Sequence, residues 1–463
     1  MSGPGRAERP GFEAGPARRA VQDHISSLQT GVSGYRHAPP PAKPAFSCLV
    51  NFRHLQALIA VADNCSVTRA SEQLCRAQSA VTRSIHALEE ALNVELFERK
   101  ASGMLCNAFG SAVLYRATRA FSEFEAGVSE ISGKTRESSR ISNVHFPSSL
   151  FHESRLEAFV KLAESGHMPT VAKELGVTQP AVSRALNDLE SKLGLDLFTR
   201  TSKGMLLTVS GERLFFRVKR ALLELRQVEA DLAALQGTTR GRVVIGALPL
   251  GRTSILPLAM TNVLRKHPQL QIATVEGPYE SLAARLRAGD IDFIFGALRP
   301  ADHARDFTSE PLLSDSMAIV VRAGHPLAQV QGLALKDLAA LSWVLPNGST
   351  PARKQLDLAF KLEGLPPPLA AVETSDLAIL RGVISNTDQV TAISATQLEY
   401  EIDAGMLTVL DIALPNTTRV IGITQRADSS ASPGASTLIA EIRGIVGRSA
   451  PSHDCDALAG RRD

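Results

Sequence analysis

The chain has 463 residues, 44% of them hydrophobic and 21% charged, with a formal net charge of +3. That length holds two or three domains with substantial cores. The small net charge excludes a uniformly basic nucleic-acid binder, so any basic footprint has to be local. No stretch has the apolar length that spans a bilayer, which argues against a membrane partner, and the Gly/Pro/Arg-rich start does not read as a secretory signal.

Cys48, Cys65, Cys75, Cys106 and Cys455 form no Cys-x-x-Cys pair and have no histidine at metal-site spacing. They are expected as small buried or half-buried thiols, with no metal site. Residues 1–48 lack apolar periodicity, end in a Pro-rich run and read as a disordered extension.

From Phe52 a helical pattern begins, with Leu55, Leu58, Ile59 and Ala62 at three- and four-residue spacing. A second helix is predicted from an N-cap at Ser66 (or Thr68) to Leu74, and a third from Gln78 to Leu92. Leu96-Phe97, Gly103-Met104-Leu105 and a long helix from about Phe109 to Ile131 follow. Residues 51–131 are thus one domain with its helix, and the Ser- and charge-rich residues 132–151 are a linker.

Residues 152–210 repeat the first domain. Gln78, Ala80-Val81, Arg83, Leu88-Glu89, Leu96-Phe97, Arg99 and Gly103-Met104-Leu105 each reappear 101 positions later without a gap, as do Gly110, Arg116 and Arg119. Roughly twenty identities over some seventy positions mark the duplication of a whole domain. The second copy carries clear helix-turn-helix grammar: a helix ending in Leu175-Gly176, a tight turn, and a helix opening on Thr178-Gln179-Pro180. Gly176 suits the positive-φ position after a helix, and Pro180 suits a first turn, where no backbone N–H is missed. Thr199–Leu207, with Gly204, is the expected wing.

In the helix over residues 211–238, Leu214, Val218, Ala221, Leu225, Val228, Leu232 and Leu235 alternate four-three spacing, a coiled-coil seam. Residues 241–447 alternate strands and helices, which predicts parallel sheets in two lobes with a cleft between them. Lobe I is placed at about 241–314 and 419–447, lobe II at about 317–418, and 448–463 as a polar tail.

Val177–Arg184, Leu189-Glu190, Leu193-Gly194, Leu197–Arg200, Gly204–Thr208 and Gly211 resemble the DNA-binding domain of LysR-type transcriptional regulators. Ile245-Gly246, Leu256-Pro257, His267-Pro268, Gly289–Asp292 and Pro311-Leu312 resemble that family's effector domain. The resemblance implies a multidomain protein with two all-α-rich winged helix-turn-helix domains and a two-lobed α/β effector domain of periplasmic-binding-protein-like fold. It further implies a bacterial, cytoplasmic regulator that binds a double-stranded DNA operator, is homo-oligomeric and answers to a small organic effector (a co-inducer, an anion being one option). RNA polymerase is a partner if the protein activates.

Carried over by position, Thr178, Gln179, Pro180, Ser183 and Arg184 face the major groove, with Arg200 and Lys203 near the backbone at the wing. The chemistry agrees, since glutamine pairs with adenine and arginine with guanine edges. Ala181, Val182, Leu186 and Leu189 are expected to face the core, and Arg200 has an internal salt bridge as its alternative. In the first copy Gln78, Ser79, Thr82 and Arg83 take the reading positions, but the turn glycine is Cys75 and the proline is Ser79. That copy either reads bases or is a shape-only partner. The resemblance places effector contacts at Leu250, Thr253 and Ser254, at Tyr279, and at Asn347, Ser349 and Thr350 before a helix start. For Ser349 and Thr350, plain N-capping is the competing reading.

In this family the long helices pair antiparallel between chains. Here one chain carries two, so an intramolecular pseudo-dimer is expected. The C-terminal half alone would also suit a solute-binding protein without a DNA role. No nucleophile elbow, P-loop or metal constellation points to an enzyme, a catalytic residue or a bound cofactor.

Overall fold

The computed structural model describes residues 51–132, 153–202, 204–299, 306–427 and 429–449. The expected N-terminal extension, nearly all of the linker, most of the tail and Lys203 lie outside the described residues.

The first winged domain comprises α1 (Phe52–Asn64), α2 (Val67–Gln73), α3 (Gln78–Leu92) and the hairpin β1 (Phe97–Lys100) and β2 (Gly103–Cys106), followed by α4 (Ala108–Ser132). The second repeats it as α5 (Glu153–Ser165), α6 (Met168–Leu175), α7 (Gln179–Leu193), β3 (Phe198–Thr201), β4 (Gly204–Leu207) and α8 (Val209–Leu235). Ser66 is the N-cap of α2, accepting a hydrogen bond from Arg69 N.

Equivalent constraints shape both copies. In the second, Gly166, Gly176 and Gly194 supply three left-handed turns, with φ of 67°, 65° and 68°. Their counterparts Cys65, Cys75 and Asn93 take φ of 51°, 52° and 53°, a region that is strained for side chains bearing a Cβ. At the wing, a Cβ on Gly103 would lie 2.4 Å from Cys65 O, and one on Gly204 2.6 Å from Gly166 O. The next residues, Met104 and Met205, donate their N–H to those same carbonyls at 2.9 Å. Glu89 and Glu190 accept from Leu96 N and Leu197 N at 2.9 and 2.7 Å, tying each wing to its third helix.

Helices α4 and α8 pack antiparallel within the one chain. Val113, Ala117, Ala120, Phe121 and Phe124 meet Leu214, Val218, Ala221, Leu222, Leu225, Val228 and Leu232 in a single core continuous with both winged domains. The expected seam residue Leu235, in the last turn of α8, is 49% exposed.

The effector domain is not built of parallel sheets as expected: lobe I holds a mixed five-stranded sheet, and lobe II an antiparallel three-stranded sheet beside a parallel pair. In lobe I, β5 (Gly241–Ala247), β6 (Leu270–Val275), β7 (Phe293–Ala297), β8 (Phe307–Asp315) and β14 (Arg419–Arg426) take the order β6-β5-β7-β14-β8. Only the first three run parallel; β14 is antiparallel to both β7 and β8. The chain returns from lobe II before β14 begins, and the return reverses the strand direction. In lobe II, β9 (Met317–Arg322) lies between β12 (Thr391–Ser394) and β13 (Leu407–Leu410), antiparallel to both. The pair β10 (Trp343–Leu345) and β11 (Ala370–Glu373) is parallel and joins β12 through a bridge from Trp343 to Val390. Helices α9 (Ile255–Lys266), α10 (Tyr279–Ala288) and α14 (Pro433–Ser449) belong to lobe I. Helices α11 (Pro351–Leu362), α12 (Leu377–Asn386) and α13 (Glu399–Asp403) belong to lobe II.

The effector domain rests on the paired helices. Lys219 of α8 contacts Asp290, after α10, at 2.5 Å, and Arg116 Nη1 of α4 donates to Ser430 O at 3.2 Å.

Candidate nucleic-acid interface

A reading helix has to bury one face and leave its first turns open. Val182, Leu186 and Leu189 of α7 are buried, while Thr178, Gln179, Pro180 and Arg184 are exposed and Ser183 is half-buried. Ala181, expected toward the core, is exposed, since one step from Val182 rotates it about 100° to the outer face. Thr178 is the N-cap of α7, yet its hydroxyl makes no capping bond, which leaves it available to a phosphate. On the wing Arg200 is exposed and forms no ion pair among the described residues.

Helix α3 presents Gln78, Ser79 and Arg83 exposed and Thr82 half-buried. Two features set it apart. Its N-cap is Ala77, which has no hydroxyl, and Thr82 Oγ1 donates to Gln78 O at 3.1 Å. Arg76, where the second copy has Val177, points back and donates to Arg53 O and Gln56 Oε1 at 3.2 and 3.3 Å. Cys75 is exposed, neither buried nor half-buried as expected, while Cys65 and Cys106 are half-buried. Burial pushes the Cys106 thiol up to about 11, with the neighbouring Cys65 acting in the same direction.

Between the copies the charges repeat with two-fold symmetry. Arg116 reaches Glu224 at 2.7 Å and Asp231 at 2.6 Å, and Arg119 reaches Glu224 at 2.9 Å. Shifted by the duplication, Arg217 pairs with Glu123 at 2.9 Å and with Glu130, and Arg220 with Glu123 at 3.3 Å. Each contact has its mirror image, as in an isologous interface. The axis passes near Phe121 and Leu222. Burial works against the charge on Arg116, but hydrogen bonds to Asp231 and Glu224 outweigh it and raise the guanidinium above its ordinary value.

The expected effector residues are spread over both lobes. Leu250 is buried in the lobe I core, in a short turn at Pro249–Gly251. Thr253 Oγ1 donates across to Thr396 O of lobe II at 3.3 Å, and Ser254 precedes α9 without capping it. Tyr279 opens α10 beneath the Arg299 guanidinium, 4.9 Å from the ring centroid. In lobe II, Thr350 caps α11 by accepting from Arg353 N. Asn347 Oδ1 accepts from Ser349 N and Oγ, while its amide donates to Glu373 at 2.6 Å. Asn347, Ser349 and Thr350 are thus a self-satisfied turn. Sequence reasoning missed Arg299, Asp315 and Arg419 at the edge of lobe I, which carry no motif.

Among the described residues, no cluster of three His, Cys, Asp or Glu side chains is placed to hold a metal. No described helix is long and apolar enough to cross a membrane.

Residues 52–111 and 154–212 both match the helix-turn-helix domain of bacterial regulatory proteins of the lysR family, and residues 236–445 match the LysR substrate binding domain. The chain is 46% identical over 398 residues to the HTH-type transcriptional regulator GalR of Pseudomonas putida, covering 86% of this chain and 98% of that one. That aligned stretch is longer than everything following the first copy, so the likeness runs into it. The regulator GbpR of Azospirillum brasilense is 29% identical over 304 residues, covering 64% and 89%. Among solved structures, a full-length OxyR variant of Pseudomonas aeruginosa has a TM-score of 0.47 at 24% identity, over 63% of this chain and 94% of that one. The chain belongs to the LysR family of transcriptional regulators: a DNA-binding protein, not an enzyme, with helix-turn-helix domains joined to an α/β domain for a small-molecule effector.

Proposed function

We propose that a single chain is the smallest operator-reading unit of this regulator. The mirrored ion pairs across α4 and α8 carry this reading: they are the bonds of a symmetric dimer, made inside one polypeptide. Two heads held in this way read an operator of two unlike halves, because half-site symmetry follows protein symmetry. Thr178, Gln179, Pro180, Ser183, Arg184, Arg200 and Lys203 read one half. Gln78, Ser79, Thr82 and Arg83 read the other. A co-inducer in the interlobe cleft, against Thr253, Ser254, Tyr279 and the edge formed by Asn347, Ser349 and Thr350, sets activity in the cytoplasm.

The test combines the mass of the smallest specific DNA complex with footprints of the parent, Arg184→Ala and Arg83→Ala. One chain per operator is expected, with each variant losing protection over a different half. A minimal complex of two chains in which Arg83→Ala leaves the footprint intact overturns the proposal.

A further inference from the structure

The chemistry of the effector is written on the edge of the lobe I sheet. Strands β5, β6 and β7 end there, and β14 begins there, because it runs antiparallel to β7. Strand β8 ends beside it, with Asp315 opposite Arg419 in the register. Arg299 follows β7 by two residues, and the Leu298 N–H bonds to Val420 O at 2.8 Å. Topology therefore gathers Arg299, Arg419 and Asp315 where open α/β sheets bind ligands, outside the carboxyl ends of the strands. Lobe II closes over this edge: Ser394 Oγ donates to Asp315 Oδ1 at 2.5 Å, and Thr253 meets Thr396 nearby.

Among the described residues, the guanidinium groups at this edge are unequally partnered. Arg252 is matched by Glu276 at 3.5 Å. Asp315 is shared: one oxygen takes Ser394 and the other takes Arg419 Nη2 at 3.4 Å. Arg299 forms no ion pair among the described residues and lies over the Tyr279 ring. Arg419 is 17% exposed, and its Nε is shut off from solvent without a hydrogen-bond partner. Burial pulls the Arg419 guanidinium below its ordinary value, and the like charge of Arg299 adds to that pull. A shielded, under-partnered guanidinium is costly until an acceptor reaches it.

We infer that the effector is a small organic carboxylate, held by Arg299 and Arg419 at the edge of lobe I, with the Tyr279 ring as a flat wall. This rests on the cleft being the effector site, and it moves the anchoring charge from the α11 start to the opposite lobe. Guanidinium pairs suit carboxylates because their planar donor forks match two oxygens at once.

The experiment is a thermal melt of the full chain at constant ionic strength against matched aliphatic and aromatic carboxylates and their primary amides, with inorganic phosphate as a third arm. At least one acid is expected to raise the melting temperature where its amide does not. Arg299→Ala and Arg419→Lys should each weaken that acid by at least about tenfold, as expected for loss of a charge-assisted contact. Arg252→Ala should change it less than about twofold, since Glu276 already matches that charge. Stabilisation by phosphate alone, by amides as well as acids, or by no acid overturns the inference, as does an acid that both arginine variants bind like the parent. The operator footprint of the unliganded parent reads the DNA-binding proposal separately.

Discussion

Cys75 and Gly176 occupy the same turn in the two copies, at φ of 52° and 65°. A Cβ at that position meets nothing within 4 Å in the second copy, so the strain is in the backbone alone. Cys75→Gly is therefore expected to stabilise the first winged domain by up to about 1 kcal/mol, less the entropy that glycine adds to the unfolded chain. Denaturant unfolding checks this, and a loss of stability would show that the thiol makes contacts worth more than the turn. The helix-turn-helix was legible because it is local, its pattern spanning one turn and two helices. Ala181 was misplaced because hydrophobicity alone cannot separate it from Val182, its buried neighbour. Arg299 and Arg419 were illegible for the opposite reason: they lie far apart in sequence and meet only because β14 returns antiparallel.

Among the elements, the α4–α8 pair is the most strongly specified. Arg116 and Glu224 are 2% and 5% exposed. A buried pair of this kind stabilises weakly relative to a well-packed apolar pair, but breaking it is costly. Arg116→Met should cost about 3–5 kcal/mol in equilibrium unfolding, since it leaves Glu224 and Asp231 buried with fewer partners. Arg116→Met combined with Glu224→Leu should recover part of that loss; a double variant as weak as the sum of the singles would remove the coupling. The seam of α8 was readable from its four-three spacing, and its partner α4 from the duplication. Strands β8 and β11 were not anticipated. The first is an edge strand interrupted by Pro311 beside a register shift in β14, and the second is a short edge strand with alternate residues exposed. Neither has the apolar run that marks a buried strand.

For the whole molecule, the two halves of the pseudo-dimer are unequal, because one effector domain serves two heads. It grips the seam through Lys219–Asp290 and through Arg116–Ser430, so it touches the helix of each copy. The position equivalent to Lys219 on α4 is Thr118, which does not offer the charge. Asp290→Asn should then reduce the effector's influence on operator affinity by about 0.5–2 kcal/mol, while the effector itself binds as before. Titrations of labelled operator with and without effector measure this, and an unchanged ratio would place the coupling elsewhere. The two-lobed plan was legible in the alternation of strands and helices. The mixed strand directions were not, since alternation says nothing about where a chain crosses back between lobes.

The fusion of α4 and α8 into one polypeptide also alters the arithmetic of regulation. A regulator that assembles from separate subunits loses occupancy roughly as the square of its concentration once its dimer dissociates. Here the partner helix is always present, at an effective concentration fixed by its tether. On the proposal that one chain is the smallest reading unit, operator occupancy should fall only linearly with cellular copy number, down to a few molecules. On the same proposal, mutations act on one head at a time, so either half of the operator can drift without dragging the other along.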